Sequence, residues 1–306
     1  MSVLIVGTIA YDTVETPLEK HERILGGSAT YASFVASRMT PTRVSAVIGE
    51  DFLPEHLAMF ERRGIDMRGV EKKAGKCFFW AGRYGEDPNA RETLATELNV
   101  LAEFSPALPA EYEDTKYLFL ANVDPEIQLS VLKQCKNLEF SLCDTMNFWI
   151  ENKRGALDEV LARADCVLLN DEEARMLCGT PNLVTAARRV LEMGPRAVVV
   201  KKGEHGAAMF SRDDFFALPA FPLEKVKDPT GAGDTFAGGL IGSVAREGKS
   251  DGAAIRRGMV VGTVAASFCV EDFSVGGLES LDEAAIMQRI DFLKKSSEIK
   301  PFGMEK

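Results

Sequence analysis

Two carboxylates, Asp228 and Asp234, bracket the turn Pro229-Thr230-Gly231-Ala232-Gly233 in the stretch "KVKDPTGAGDTFAGGLIG", residues 225–242. Phe236, Leu240, Ile241 and Val244 then recur at i, i+4, i+5 and i+8, the face of a helix that begins at the turn. A helix start offers unpaired backbone N–H groups and the positive end of the dipole, so it receives anions. Gly231 and Gly233 let an anion approach the backbone closely. An acid in that first turn has two uses. It can cap the helix, stabilised by the dipole. It can also be a general base, taking a proton from a hydroxyl while the N–H groups stabilise a transferring phosphoryl group. The turn is not a P-loop, because no G-x-x-x-x-G-K-[ST] occurs in the chain. It is a poor dinucleotide fingerprint as well, since the third glycine is missing and the turn lies far from the first strand.

Other polar residues have quieter readings. Asn170 followed by Glu173 is a capping box, with Asp171 and Glu172 suited to a first helical turn. Ala29, Ala32, Ser33 and Ala36 make a small-residue stripe that suits close packing. His205 reads as a loop residue. The three histidines and six cysteines are scattered without metal-ligand spacing, so a structural zinc site and a disulfide framework are not expected.

The elements that would carry these residues alternate. Strands are predicted at 3–9, 44–48, 117–121, 138–143, 165–169 and 196–201. Helices are predicted between them at 27–39, 54–63, 125–136, 153–163, 171–178 and 182–193, and then consecutively at about 234–247, 251–270 and 281–296. The runs "YLFLA", "CVLLN" and "AVVVK" are continuously apolar, as strands buried on both faces of a parallel sheet should be. Residues 13–25 and 76–100 break the pattern and read as strands of a separate small sheet, a flap over something. The expected fold is therefore α/β: a mostly parallel sheet with helices on both faces plus a small β-sheet lid, in one domain over 1–306. A net charge of −10 with no basic face argues against nucleic acid. The apolar start lacks a basic region and is cut short by Asp12, and Gly258 to Val270 falls short of the ~20 residues of a membrane span. A cytoplasmic protein is expected.

"DPTGAGDTFAGG" resembles the C-terminal motif of the ribokinase-like (PfkB) carbohydrate kinases. Further pieces follow in the family's order: "GGSATYASFVA" (26–36), "VIGEDF" (47–52), "CDTMNF" (143–148), "LLNDEEARML" (168–177) and "VVKKGEHGA" (199–207). The resemblance implies transfer of the ATP γ-phosphate to a hydroxymethyl group of a sugar or sugar-like acceptor. It implies Asp234 as catalytic base, with Gly231, Ala232 and Gly233 forming the anion hole together with the Asp234 N–H. Asp12, Gly26, Gly27, Tyr31 and Asn147 match acceptor-binding positions. Asn170 and Glu173 match a pair that organises Mg²⁺, its waters and the phosphates. Lys201 and Gly203 fall on the ATP side, and Thr263 and Ser267 border the adenine. Asp228 and Thr230 match positions that in some members hold a monovalent cation such as K⁺. The lid is also a candidate homodimer contact, and Trp80 and Tyr84 within it are candidates to touch the acceptor. Tyr31 stands where many sugar-kinase members have asparagine, which admits a base-bearing acceptor. A nucleoside kinase is thus the close alternative. A non-catalytic sugar- or nucleotide-sensing protein on the same scaffold is the alternative of another class.

Overall fold

The runs read as doubly buried strands form the middle of a nine-stranded sheet in the computed structural model, which describes residues 1–279 and 281–298. In chain order the strands are β1 (Val3–Val6), β2 (Ala10–Glu15), β3 (Lys20–Gly26), β4 (Thr42–Ile48), β5 (Asp66–Lys72), β6 (Phe78–Tyr84) and β7 (Arg91–Glu97). They continue with β8 (Tyr117–Leu120), β9 (Phe140–Cys143), β10 (Cys166–Asn170), β11 (Ala197–Lys201), β12 (Ala207–Ser211) and β13 (Phe215–Leu218). The large sheet is ordered β13-β12-β11-β10-β9-β8-β1-β4-β5. Its strands are parallel from β5 through β11, and β12 and β13 finish the edge antiparallel. The six predicted strands are all present. The sequence reading did not include β5, β12 and β13. β5 is a half-exposed edge strand with little apolar signal, and β12 and β13 are short hairpin strands after a glycine turn.

Strands β3-β2-β6-β7 form the separate small sheet, with β2 parallel to β6 and both outer pairs antiparallel. β2 starts at Ala10, earlier than the expected lid segment, so Asp12 itself belongs to the lid. The chain leaves the main sheet after β1, forms β2 and β3, and returns through Gly26 and Gly27 into the helix Ser28–Ala36.

Two apolar cores flank the large sheet. One face is covered by the helices Ser28–Ala36, Ala232–Glu247 and Gly252–Cys269, the other by Pro125–Gln134, Arg154–Leu161, Asp171–Cys178 and Leu183–Met193. The small-residue stripe of the first helix packs against the helix that follows the glycine turn. A Cβ on Gly238 would sit 2.7 Å from Ala32 Cα, and one on Gly242 would sit 3.0 Å from Ala36 Cα. On its other side a Cβ at Gly239 would fall 2.7 Å from Gly262 Cα in the 252–269 helix. Glycine destabilises a helix interior relative to alanine by about 1 kcal/mol. Here it lets three helix backbones touch, which fixes the depth of the turn that opens the middle one.

Candidate active site

Gly231 is the N-cap of the 232–247 helix with φ 75° and ψ 0°, a left-handed conformation suited to glycine. A side chain there would also meet the Tyr31 ring at 2.5 Å. The Thr235 N–H donates to Gly231 O at 2.8 Å and closes the first helical turn. The Ala232 N–H donates to Pro229 O at 3.2 Å, so this member of the expected anion hole is engaged within the turn. Gly233 and the carboxylate of Asp234 lie near the Lys201 ammonium. A Cβ on Gly233 would lie 3.1 Å from Lys201 Nζ.

Lys201 ends β11, and its Nζ donates to Asp144 Oδ2 at 2.7 Å. Both are well buried. Burial disfavours the ammonium, yet Asp144 and Glu173 outweigh that effect and hold its pKa raised. Glu173 is held by the capping box: Asn170 Oδ1 accepts from the Glu173 N–H at 2.8 Å, and Glu173 Oε2 accepts from the Asn170 N–H at 2.7 Å. Capping and a place in the charged cluster therefore coexist. Burial pushes the Glu173 carboxyl up to about 7, with Lys201 pulling the other way and Asp144 adding repulsion. Asp234 is likewise pushed up to about 7 by burial and by Asp144, with Lys201 and Arg91 opposing.

Asp12 approaches the same helix start from the lid. Burial, Asp228 and Asp234 push its carboxyl up to about 8, and a hydrogen bond from the Gly27 backbone offsets part of that rise. Any side chain at Gly26 would overlap the Asp12 carboxylate. Gly27 has φ 99° and lies against the Thr8 carbonyl. Below the turn, fully buried Asp228 accepts from the Thr230 N–H at 2.8 Å through Oδ1, while Oδ2 has no partner among the described residues. Burial raises its pKa. Thr230 Oγ1 reaches Tyr84 Oη at 3.2 Å, so the lid touches the glycine turn.

The predicted residues divide clearly. Asp12, Gly26, Gly27, Asp228, Thr230, Gly231, Gly233 and Asp234 lie around one helix start, with Lys201, Asn170 and Glu173 beside it. Tyr31 is 1 % exposed, and its ring supports the turn from behind. Its hydroxyl is buried without a partner among the described residues. Asn147 is exposed, its Oδ1 accepting from the Phe148 N–H at 3.0 Å. Thr263 and Ser267 are buried on the 252–269 helix. Ser267 Oγ donates to Val264 O at 2.6 Å and accepts from Arg289 at 2.7 Å. Gly203, at φ 52°, opens the turn after Lys201 and lies under the lid residue Asn89. His205 is exposed at the end of a single 3₁₀ turn, Gly203–His205. Two site residues were not singled out from the sequence. Asp144 sits at the end of β9 inside the quoted "CDTMNF", and its signal was an acid directly after a buried strand. Arg91 stands at the start of β7.

The donor set fits a polyphosphate: a helix start, a lysine and a pair of carboxyls of raised pKa. Among the described residues no group of three or more His, Cys, Asp or Glu side chains converges as a metal cage. A divalent ion here would be carried largely by phosphate oxygens and water, as Mg²⁺ commonly is at such sites. The orphaned Asp228 Oδ2 fits a cation better than empty space, because a buried carboxylate oxygen without a partner is unfavourable.

The structure thus combines an α/β fold, a small β lid, and a helix start with carboxylates and a lysine beside it. Residues 2–275 match the model of the pfkB family of carbohydrate kinases, and the chain belongs to that family. It is 29 % identical to a cytidine kinase of Thermococcus kodakarensis over 80 % of this chain and 89 % of that protein. It is 26 % identical to a nucleoside kinase of Methanothermobacter thermautotrophicus over 88 % of this chain and 89 % of that one. A provisionally assigned ribokinase II from E. coli, solved with ATP and Mg²⁺, superimposes with a TM-score of 0.77 at 19 % identity, covering 95 % of this chain and 99 % of that one. That likeness shows the ribokinase-like fold. The chain is thus a sugar or nucleoside kinase of this family, whose members use ATP with Mg²⁺. No helix among the described residues is long and apolar enough to cross a membrane.

Proposed function

We propose that the chain transfers the γ-phosphate of ATP to the hydroxymethyl group of a nucleoside. The observation that carries the chemistry is Asp234, a half-buried carboxylate with its pKa raised to about 7 in the first turn of a helix opened by a left-handed glycine. A base poised near neutrality both accepts a proton and is unprotonated often enough to do so. The acceptor hydroxyl gives its proton to Asp234. The acceptor oxygen bonds to the γ-phosphorus, and the bond from that phosphorus to the bridging oxygen breaks with its electron pair leaving on ADP. Asp12, with the clearance left by Gly26 and Gly27, binds the acceptor's ring hydroxyls. The Gly233 N–H and Lys201 hold the phosphoryl oxygens as charge moves from acceptor to leaving group. Mg²⁺, when bound with ATP, supplies further neutralisation of the phosphates, and Glu173 with Asn170 orders its water shell. Asp228 and Thr230 hold a monovalent cation such as K⁺ beneath the turn.

Two observations favour a nucleoside over a free sugar. The cytidine kinase of Thermococcus kodakarensis and the nucleoside kinase of Methanothermobacter thermautotrophicus align over 80 % and 88 % of the chain, whereas a fructokinase of Klebsiella pneumoniae aligns over 33 % of it. Trp80 and Tyr84, on the face of β6 that also carries the partner of Asp12, give the lid aromatic side chains against which a base can stack. The test is ATP consumption with panels of nucleosides, pentoses and hexoses, together with Asp234→Asn. Asparagine caps a helix about as well as aspartate, so the melting temperature should hold while the rate falls roughly 10²–10⁴-fold. Turnover with sugars alone would reject the nucleoside. A near-normal rate in Asp234→Asn would reject the base.

A further inference from the structure

We propose that Ser274 is a positioning residue: its hydroxyl ties the chain just before the acceptor glycines to the root of the glycine turn, and so sets the distance across which the acceptor hydroxyl meets Asp234. The proposal rests on the kinase reading above and concerns a segment which that reading does not use, the strap 270–275 that follows the helix Gly252–Cys269. One side of the strap is fastened to the residues that lead into the turn. Val270 O accepts from the Lys227 N–H at 2.8 Å and from the Asp228 N–H at 3.4 Å. Asp272 Oδ1 lies 3.3 Å from Lys227 Nζ. The Ser274 N–H faces the Asp228 carboxylate and pulls its pKa down against the burial that raises it. The other side of the strap is fastened to β3, an edge strand of the lid. Phe273 stacks on His21 with 3.9 Å between ring centres, and it is buried against Val14 and Tyr84. Ser274 Oγ donates to Leu25 O.

Both ends of this tie lead directly to the chemistry. Leu25 is followed by Gly26, which lies against the Asp12 carboxylate, and by Gly27, whose backbone bonds to it. Asp228 receives the Thr230 N–H, and the turn 229–233 then runs into Asp234. Tyr84 makes another contact between lid and turn, but it belongs to β6, two strands away from β3. The backbone of Ser274 marks it out as well. Its φ is 57°, a left-handed value shared among the described non-glycine residues with Arg23 and Asn99. Glycine adopts this conformation without steric cost, and serine adopts it rarely. Such strain persists only where the surrounding contacts over-determine it, and it concentrates at functional sites. A glycine at 274 would suit the backbone and lose the bond to Leu25. That bond is what the serine adds. Proton transfer to a fixed base is sensitive to placement, and an error near 1 Å lowers rate by about 10².

Two variants separate the hydroxyl from the backbone. Ser274→Ala removes Oγ and keeps a side chain in the left-handed conformation. Ser274→Gly removes Oγ and relieves that conformation. With nucleoside and ATP, kcat should fall roughly 10–10²-fold in both, while KM for either substrate stays within about threefold, because the acceptor still binds but meets the base out of line. The melting temperatures should part, with Ser274→Gly above Ser274→Ala. Rate would then follow the hydroxyl and stability the backbone. A second measurement is hydrogen exchange without substrate. The amides of residues 25–27 should exchange about tenfold faster in both variants, and those of residues 235–245 should not change. A kcat within about twofold of the unaltered chain in Ser274→Gly, a rate that tracks the melting temperature, or unaltered exchange at residues 25–27 would overturn the proposal. An unaltered chain that turns over neither nucleosides nor sugars would instead reject the kinase reading, and the exchange comparison would still decide whether Ser274 ties residues 25–27 to the turn.

Discussion

Gly238→Ala puts two opposing effects on one helix, and the structure says which should win. Alanine is the better helix former by about 1 kcal/mol. The new methyl, however, would sit 2.7 Å from Ala32 Cα. Relief to ordinary carbon contact requires the 232–247 helix to back away from the 28–36 helix by roughly 1 Å, in an interior packed without spare volume. Overpacking of this kind costs about 1–3 kcal/mol, so the net change should be a loss of up to about 2 kcal/mol. Asp234 lies one turn before Gly238 on the same helix and must move with it. A misplacement near 1 Å lowers rate by about 10². The assay pairs a urea unfolding curve, where the midpoint should fall at constant slope, with steady-state kcat. Gly155→Ala is the control. It is also helical, in Arg154–Leu161, but its added Cβ would meet nothing within 4 Å. It should gain a few tenths to about 1 kcal/mol with no change in rate. If Gly238→Ala matched Gly155→Ala in stability and kept its kcat, close helix packing would not be what positions the base.

Asp12→Asn should be compared with the unaltered chain across pH 5 to 9. The Asp12 carboxyl is raised to about 8 in the fold and titrates near 3.9 in an unfolded chain. Between those values the folded state holds a proton that the unfolded chain has released. Its favourable contribution is complete below the unfolded pKa and is lost as pH rises through about 8. The melting temperature of Asp12→Asn relative to the unaltered chain should therefore climb with pH and level off above about 8, and a constant offset would contradict the assignment. Asp228→Asn should weaken the response of the rate to K⁺ while leaving the rate's pH profile in place. Equal rates in K⁺ and in a bulky organic cation for the unaltered chain would remove the cation from the site.

Much of this architecture is legible in the letters for a simple reason. Strands buried on both faces must be continuously apolar, so "YLFLA", "CVLLN" and "AVVVK" declare themselves. The glycine turn is equally legible, because few other roles ask for Gly231-Ala232-Gly233 before an acid and an apolar face. Edge and hairpin strands carry no such obligation, and β5, β12 and β13 were not anticipated. Side-chain direction is harder still. Asp144 and Asn147 are three residues apart in "CDTMNF", yet the first turns inward to Lys201 and the second faces solvent. Which of them enters the site depends on where β9 stops and the helix Asn147–Asn152 begins, and that boundary is set by tertiary packing. Tyr31 is a similar case. Its position matched an acceptor-binding residue, but the ring lies behind Gly231, where the glycine's missing side chain leaves room. The membership of Arg91 in the site depends on how far the lid folds over, which no local pattern encodes.

The burial of the 232–247 helix bears on how this molecule breathes. Its residues from Thr235 to Ala245 are all buried, and it is wedged between two neighbours by glycine contacts. Its amide protons should be among the last to exchange with solvent, opening only as the whole fold opens. β7 is exposed along nearly its whole length and should exchange early. The proposed base therefore sits on a helix expected to open last, and the lid strand β7 is expected to open early. On that expectation the lid can open many times without disturbing the helix that carries Asp234.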